Sequence, residues 1–142
     1  MELQKTLVYT KDQIELIKTQ IAPEATMDEL KLFLYQAQRT GLDALSRQIY
    51  CIHRNTKLSN GSYGKKMTIQ TSIDGFRVIA ERSGTYAGQS EPIFTTDANE
   101  NLESCKISVF RFKGDIRYEA AVGVAYWSEY VQTDKQGNPI GL

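Results

Sequence analysis

Between residues 26 and 41 the chain runs Thr26-Met27-Asp28-Glu29-Leu30-Lys31-Leu32-Phe33-Leu34-Tyr35-Gln36-Ala37-Gln38-Arg39-Thr40-Gly41, with Leu30, Phe33, Leu34 and Ala37 at i, i+3, i+4 and i+7. That stripe gives a helix one apolar face. Thr26 and Glu29 make a capping box, in which the hydroxyl accepts from the third helical amide and the carboxylate returns to the Thr26 amide. Gly41 follows as a left-handed C-cap, so the helix is predicted to end at Thr40. Upstream, Thr10-Lys11-Asp12-Gln13 repeats the capping signature, and Ile14, Ile17 and Ile21 follow at helical spacing until Pro23 ends the segment. Downstream the period changes. Gln48 to Arg54 is rich in β-formers and Met67 to Thr71 alternates, while residues 55–64 carry Asn-Gly and Ser-Tyr-Gly punctuation. This predicts a hairpin with a long polar tip that carries Tyr63, Lys65 and Lys66. Ser72 then caps a third helix over Ile73 to Arg82, stopped by Gly84, with Phe76, Ile79 and Ala80 expected on its buried side and Arg77 and Arg82 outward. Tyr50 and Phe76 are expected in the core.

The second half reads as strands: Pro92 to Thr95, a polar turn at Asp97 to Asn101, Cys105 to Phe112, a Lys113-Gly114-Asp115 turn, and Ile116 to Trp127. In the last of these one face is expected to pack and the other to stay open. The tail from Gln132 through Pro139 is turn-like, and no internal repeat is evident. Helices followed by hairpins place the chain in the α+β class, as a small antiparallel β-sheet with N-terminal helices and a helix after the first hairpin. At 142 residues the whole chain, 1–142, is expected to form a single domain.

Hydrophobic residues make up 41% of the chain, enough for a core, and the three prolines and lack of low-complexity runs argue against disorder. Two cysteines, Cys51 and Cys105, without a CxxC spacing, and one histidine, His53, exclude a zinc ribbon and a disulfide scaffold and fit reduced thiols in a cytosol. No apolar run approaches the roughly 18 residues of a membrane span, and the start lacks a signal peptide's apolar core. Lysine plus arginine number 17 and aspartate plus glutamate 17, so net charge points to no partner. Its distribution does. Residues 44–82 hold Arg47, Arg54, Lys57, Lys65, Lys66, Arg77 and Arg82 against Asp74 and Glu81, while residues 83–105 hold four carboxylates and no cation. A basic segment interleaved with Tyr50, Tyr63, Phe76 and Tyr86 suits a groove that tracks a phosphate backbone, although a run of charges is more often a solvated face.

Catalysis finds little support. Gly61-Ser62-Tyr63-Gly64-Lys65 has two residues between its glycines where a phosphate loop needs four, and Lys66 stands where that loop needs Ser or Thr. Cys51 and His53, at i and i+2 of a strand, share a face without a third orienting group, and a buried small thiol is the plainer reading. No DxD or ExK pair offers a magnesium site in a strand, and no cofactor is called for.

Gly41-Leu42-Asp43-Ala44-Leu45-Ser46-Arg47-Gln48-Ile49-Tyr50 resembles the "yGLnP...eIY" signature of the phage Bet recombinase family, the lambda Red-beta type within the RecT group. Ile69 to Arg82, with Ile73-Asp74-Gly75-Phe76-Arg77 at its centre, resembles that family's "vgiDGyr.ia" segment, and Gly84-Thr85-Tyr86-Ala87-Gly88 follows where members have a comparable turn. The similarity runs over about residues 8 to 131. The resemblance implies a protein of a bacterial cytoplasm that coats single-stranded DNA and pairs it with a complementary strand into annealed duplex without ATP. It also implies assembly into rings or helical filaments, work beside a phage exonuclease, and contact with the host single-strand binding protein. No membrane partner is expected. Carried over by position, Arg47 stands before the "eIY" strand and Arg77 beyond the aromatic of the "DGy" turn. Arg54, Lys57, Lys65 and Lys66 are assigned to phosphate on charge and position alone, and Arg82 belongs to the same basic segment. Asp74 and Gly75 are expected to be structural.

Family members continue past the last strand into an aromatic-Pro-Met segment and a lysine-rich helix, whereas this chain ends at Leu142. The resemblance therefore implies that the helix is missing, that a face is left uncovered and DNA affinity weakened or lost, and that the chain self-associates or aggregates through that face. The rival reading is an assembly module that oligomerises through strand edges without touching DNA.

Overall fold

The computed structural model describes residues 7–140 and divides the chain into two compact units, Met1–Arg82 and Ser83–Leu142. In the first unit, helix α1 (Lys11–Leu16) starts at the Thr10 capping box and widens into a π-helical turn over Ile17–Ile21. The Ala22 amide there reaches back to the Ile17 carbonyl at 2.8 Å. The wider turn leaves Ile17 fully buried, and the Lys18 ammonium donates to the Ala25 carbonyl. Helix α2 (Met27–Thr40) has both limbs of its capping box, and Gly41 closes it in the left-handed region at φ 64°. Its predicted stripe supplies Leu30, Phe33 and Ala37 to the core, with Leu34 packed at the margin.

Strands β1 (Ile49–Lys57) and β2 (Tyr63–Thr71) pair antiparallel without a register break, from Ile49 opposite Thr71 to Lys57 opposite Tyr63. The turn is therefore shorter than the punctuation predicted. Tyr63, Lys65 and Lys66 lie in β2, and only residues 58–62 turn, held by the Ser62 amide and hydroxyl on the Asn60 side-chain oxygen at 3.0 and 2.6 Å. The ladder continues through polar residues because its bonds are between main chains and ask nothing of side chains that face solvent. Ile49 and Cys51 enter the core with Met67 and Ile69 packed beside them, so the odd-numbered face of the hairpin is the inner one.

Helix α3 (Ile73–Arg82) is capped as predicted, with the Gly75 amide donating to the Ser72 hydroxyl at 3.0 Å. Its expected buried side is not buried. Phe76 and Ile79 are 57% and 46% exposed, and the helix meets the core instead through Gly75 and the partly buried Val78. The reason lies in the backbone. The Ser72 amide donates to the Gln48 carbonyl at 3.1 Å, and a Cβ at position 75 would stand 2.1 Å from that same oxygen. An approach this close turns the Gly75 side of the helix inward and the Phe76 side out.

In the second unit, β5 (Leu102–Lys113) is central, with β6 (Ile116–Tyr126) along one side and β3 (Tyr86–Gln89) and β4 (Ile93–Thr96) end to end along the other. All pairings are antiparallel. Strand β3 replaces the turn expected at Gly84 to Gly88. Every residue of β6 is exposed, so the expected division into a packed and an open face does not hold. A short α4 (Trp127–Tyr130) follows β6. Among the described residues of this unit only Ser108 is buried, its amide and carbonyl bonded to the hydroxyl and amide of Ser90 at 3.0 and 2.8 Å.

A small repeat does exist here. Thr96-Asp97-Ala98-Asn99-Glu100-Asn101 and Thr133-Asp134-Lys135-Gln136-Gly137-Asn138 form the same turn, each aspartate accepting from the amides two and four residues on and from the closing asparagine's side chain. These bonds hold both carboxyls below the usual carboxylate range, the one to the closing asparagine's amide contributing most. The fifth position has positive φ in both, 64° at Glu100 and 87° at Gly137.

Gly75→Ala should destabilise the protein by about 2–3 kcal/mol, because the Gln48 carbonyl is already committed to Ser72 and cannot retreat freely. Urea unfolding measures the loss, and an unchanged midpoint would show that the approach is looser than described.

Candidate nucleic-acid interface

The segment from Gly41 to Gln48 folds around one carboxylate. Asp43 accepts from the Tyr9 hydroxyl at 3.2 Å, the Leu45 amide at 3.0 Å and the Ser46 hydroxyl at 2.7 Å. Its amide and carbonyl bond to the side chain and amide of Gln48 at 2.9 and 3.0 Å. The Tyr9 hydroxyl in turn accepts from the Ala44 amide at 2.9 Å. Burial pushes the Tyr9 phenol up to about 12 against the lowering effect of that amide, with the Asp43 charge adding to the rise. Tight local bonding sets Arg47 in the left-handed region, at φ 57°, exposed two residues before the start of β1. A non-glycine residue there is strained by about 1 kcal/mol.

Because β1 and β2 run in register, the even-numbered residues share the outer face. Its rungs are Tyr50 with Gln70, Ile52 with Thr68, Arg54 with Lys66, and Thr56 with Gly64. Arg54 and Lys66 thus stand directly opposite one another on a face without a carboxylate, and neither has a partner among the described residues. Like charges placed so disfavour the ladder by a few tenths of a kcal/mol to about 1 kcal/mol.

The other candidate cations divide differently. Lys65, on the opposite face, donates to Glu24 at 2.6 Å. Arg77 pairs with Asp74 one helical turn back at 3.0 Å, both side chains more than half exposed. Arg82 is a structural residue here: its guanidinium donates to the Thr40 and Gly41 carbonyls at 2.8 and 2.5 Å, at the negative end of α2. It folds back onto the protein where it was expected to point outward, because a planar fork matches two adjacent orphan carbonyls. Lys57 shares the parity of Lys65 at the far end of β1, opposite Tyr63. Only Arg54 and Lys66 among the seven share a rung.

Sequence reasoning placed Tyr50 in the core, yet it lies on this outer face, 37% exposed. The residues inward of it on the same strand could have signalled this, since Ile49 and Cys51 are both core formers and alternation then puts Tyr50 outside. His53, on the inner face with its side chain 7% exposed, meets Glu29 at 3.3 Å and leaves Cys51 as a core thiol whose titration burial pushes up. No helix of the described residues is long and apolar enough to cross a membrane.

The described residues thus form an α+β protein with two opposed, unneutralised cations on an otherwise neutral strand face. The RecT family model matches residues 8–137, and the chain belongs to the RecT family. Its proteins are annealing proteins of recombination rather than catalysts in the usual sense. Neither the curated proteins nor the solved structures include a match to this chain.

The inner face is clasped by two acid–base contacts that give it a pH dependence. The Lys65 hydrogen bond holds the Glu24 carboxyl below the usual range, and for Glu29 the Thr26 amide does most, with His53 adding to it. Both carboxyls are depressed in the fold, so their contribution is full above the ordinary carboxylate range and is lost as pH falls through the depressed values. Glu24→Gln with Glu29→Gln keeps the capping geometry and should flatten the acid limb of stability in urea unfolding followed against pH. A limb as steep as that of the parent would remove these two groups from it.

Proposed function

We propose that this protein binds single-stranded DNA and anneals it to a complementary strand without ATP, with the outer face of the β1–β2 hairpin meeting phosphate. The observation that carries this is the Arg54–Lys66 rung. Two cations held opposite each other without a counter-ion disfavour the fold slightly and have an evident use only when an anion lies across them. Arg47, exposed and in a strained backbone conformation at the mouth of the same strand, extends the cationic line. Arg77 can exchange its exposed Asp74 partner for phosphate at little loss, since such surface pairs contribute about 0–1 kcal/mol. Lys57 adds charge at the far end of β1. Lys65 and Arg82 have structural partners and are supporting residues in this reading.

Annealing needs contacts that neutralise backbone charge and leave base edges free to test a partner, which phosphate contacts from Arg and Lys achieve without sequence readout. RecT membership also implies oligomerisation, and assembly into rings or filaments with work beside a phage exonuclease and the host single-strand binding protein belongs to the same reading. The rival assembly reading has its own observation. Strand β6 is an eleven-residue edge with one irregularity, where Ala120 is skipped between the Val109–Ala121 and Phe110–Glu119 pairs, whereas the opposite side of β5 is interrupted between β3 and β4 by Ser90, Glu91 and Pro92.

Arg54→Ala and Lys66→Ala should each flatten the log–log salt dependence of oligonucleotide binding by about 0.7, and should leave stability unchanged or raise it by up to about 1 kcal/mol as the repulsion is relieved. Anisotropy over a salt series and urea unfolding read the two effects. Arg47→Gly should likewise weaken binding while relieving backbone strain, so a protein of equal or greater stability with weaker DNA binding is expected. Parental salt slopes in all three variants would move the reading to the assembly module.

A further inference from the structure

We infer that the hairpin's outer face is a stacking platform for unpaired bases as well as a phosphate site, with Tyr50 as the aromatic on which a base lies. This rests on the reading of that face as the DNA site and adds what it selects: a strand whose bases are unpaired, over a closed duplex. Three observations meet at this residue. Tyr50 lies on the same face as the Arg54–Lys66 rung, opposite to the face that Ile49 and Cys51 bury in the core. It is 37% exposed, so part of the ring is open to solvent, and its hydroxyl has no hydrogen-bond partner among the described residues. Between it and the cations stand only Ile52 and Thr68, and beside it Gln70, a rung order that leaves the ring free of any charged neighbour on the ladder.

The spacing suits one strand. Four residues of β1 separate Tyr50 from Arg54, about 13 Å at roughly 3.3 Å per residue, far enough for the ring and the cations to hold different nucleotides of one chain. Stacking also fits annealing chemically. A ring grips a base by its face, which every base has, and leaves the hydrogen-bonding edge outward for a complementary strand. In a duplex the base faces are covered by their neighbours, so the ring has nothing to grip. The other exposed aromatics of the basic segment do not share this placement: Tyr63 has the opposite parity on β2, and Phe76 lies on α3.

The test uses the full chain with an oligothymidylate and with a duplex of the same length, each over a salt series. Tyr50→Ala should weaken oligothymidylate binding about tenfold, leave the salt slope at the parental value because no phosphate contact is lost, and leave duplex binding unchanged. Tyr50→Phe should bind like the parent. Should Tyr50→Ala fail to fold, Tyr50→Trp with Trp127→Phe decides: its emission should be quenched by oligothymidylate and not by duplex. The inference is overturned if Tyr50→Ala binds the oligonucleotide within twofold of the parent, if it weakens single strand and duplex alike, or if Trp at position 50 is unquenched. When Arg54→Ala and Lys66→Ala flatten the slope in those same experiments, the phosphate face stands and only the stacking falls. Parental slopes in both would take down the face and the inference together.

Discussion

One main-chain oxygen, the carbonyl of Gln48, holds the first unit together. It receives the Ser72 amide at 3.1 Å and lies where any side chain at position 75 would collide with it. The start of β1, the end of β2 and the first turn of α3 therefore meet at a point where only main chain fits. The other end of α3 is tied as well, by the Arg82 fork on the last carbonyls of α2. A helix pinned at both ends to residues 40–48 has no freedom to roll, so Val78 faces the core and Phe76 faces out regardless of which is the more hydrophobic. The two segments that resemble the Bet signatures are thus the two halves of one contact.

That contact also governs the cations. With the inner face of the hairpin committed to α2 and the turn before it through the core and through the Glu24–Lys65 and Glu29–His53 contacts, Arg54 and Lys66 are left on the outside by alternation alone. A neutral chain can in this way expose a concentrated positive feature. Several of its carboxylates are engaged elsewhere, at helix starts, on Lys65, and in the Asp97 and Asp134 turns where backbone amides satisfy them.

The second unit follows another logic. A sheet with a single buried residue among those described gains little from apolar burial within itself. Side-chain contacts across the sheet surface partly replace it, as where the Arg117 guanidinium lies 3.8 Å over the Phe110 ring and donates to the Ala87 carbonyl at 3.0 Å. Membership of the RecT family implies oligomerisation.

The capping boxes at Thr10 and Thr26, the left-handed Gly41, the Ser72 cap and the antiparallel hairpin were all legible in the sequence, because each is set by residues within a few positions of one another. The family was legible too, since its two signatures are short and ordered. The positions of Tyr50, Phe76 and Arg82 were not. Whether an aromatic on a strand or helix is core depends on which face its element turns inward, and here a backbone approach between residues 48 and 75, far apart in the chain, makes that choice. Arg82 was read as a surface cation because nothing within one helical turn of it shows the open carbonyls at Thr40 and Gly41. Composition and local pattern by themselves determined the first three helices, the first hairpin, the α+β class and the existence of a basic segment. Only the tertiary structure decided which of its cations stand free, because the neutralising groups are reached through space and not along the chain.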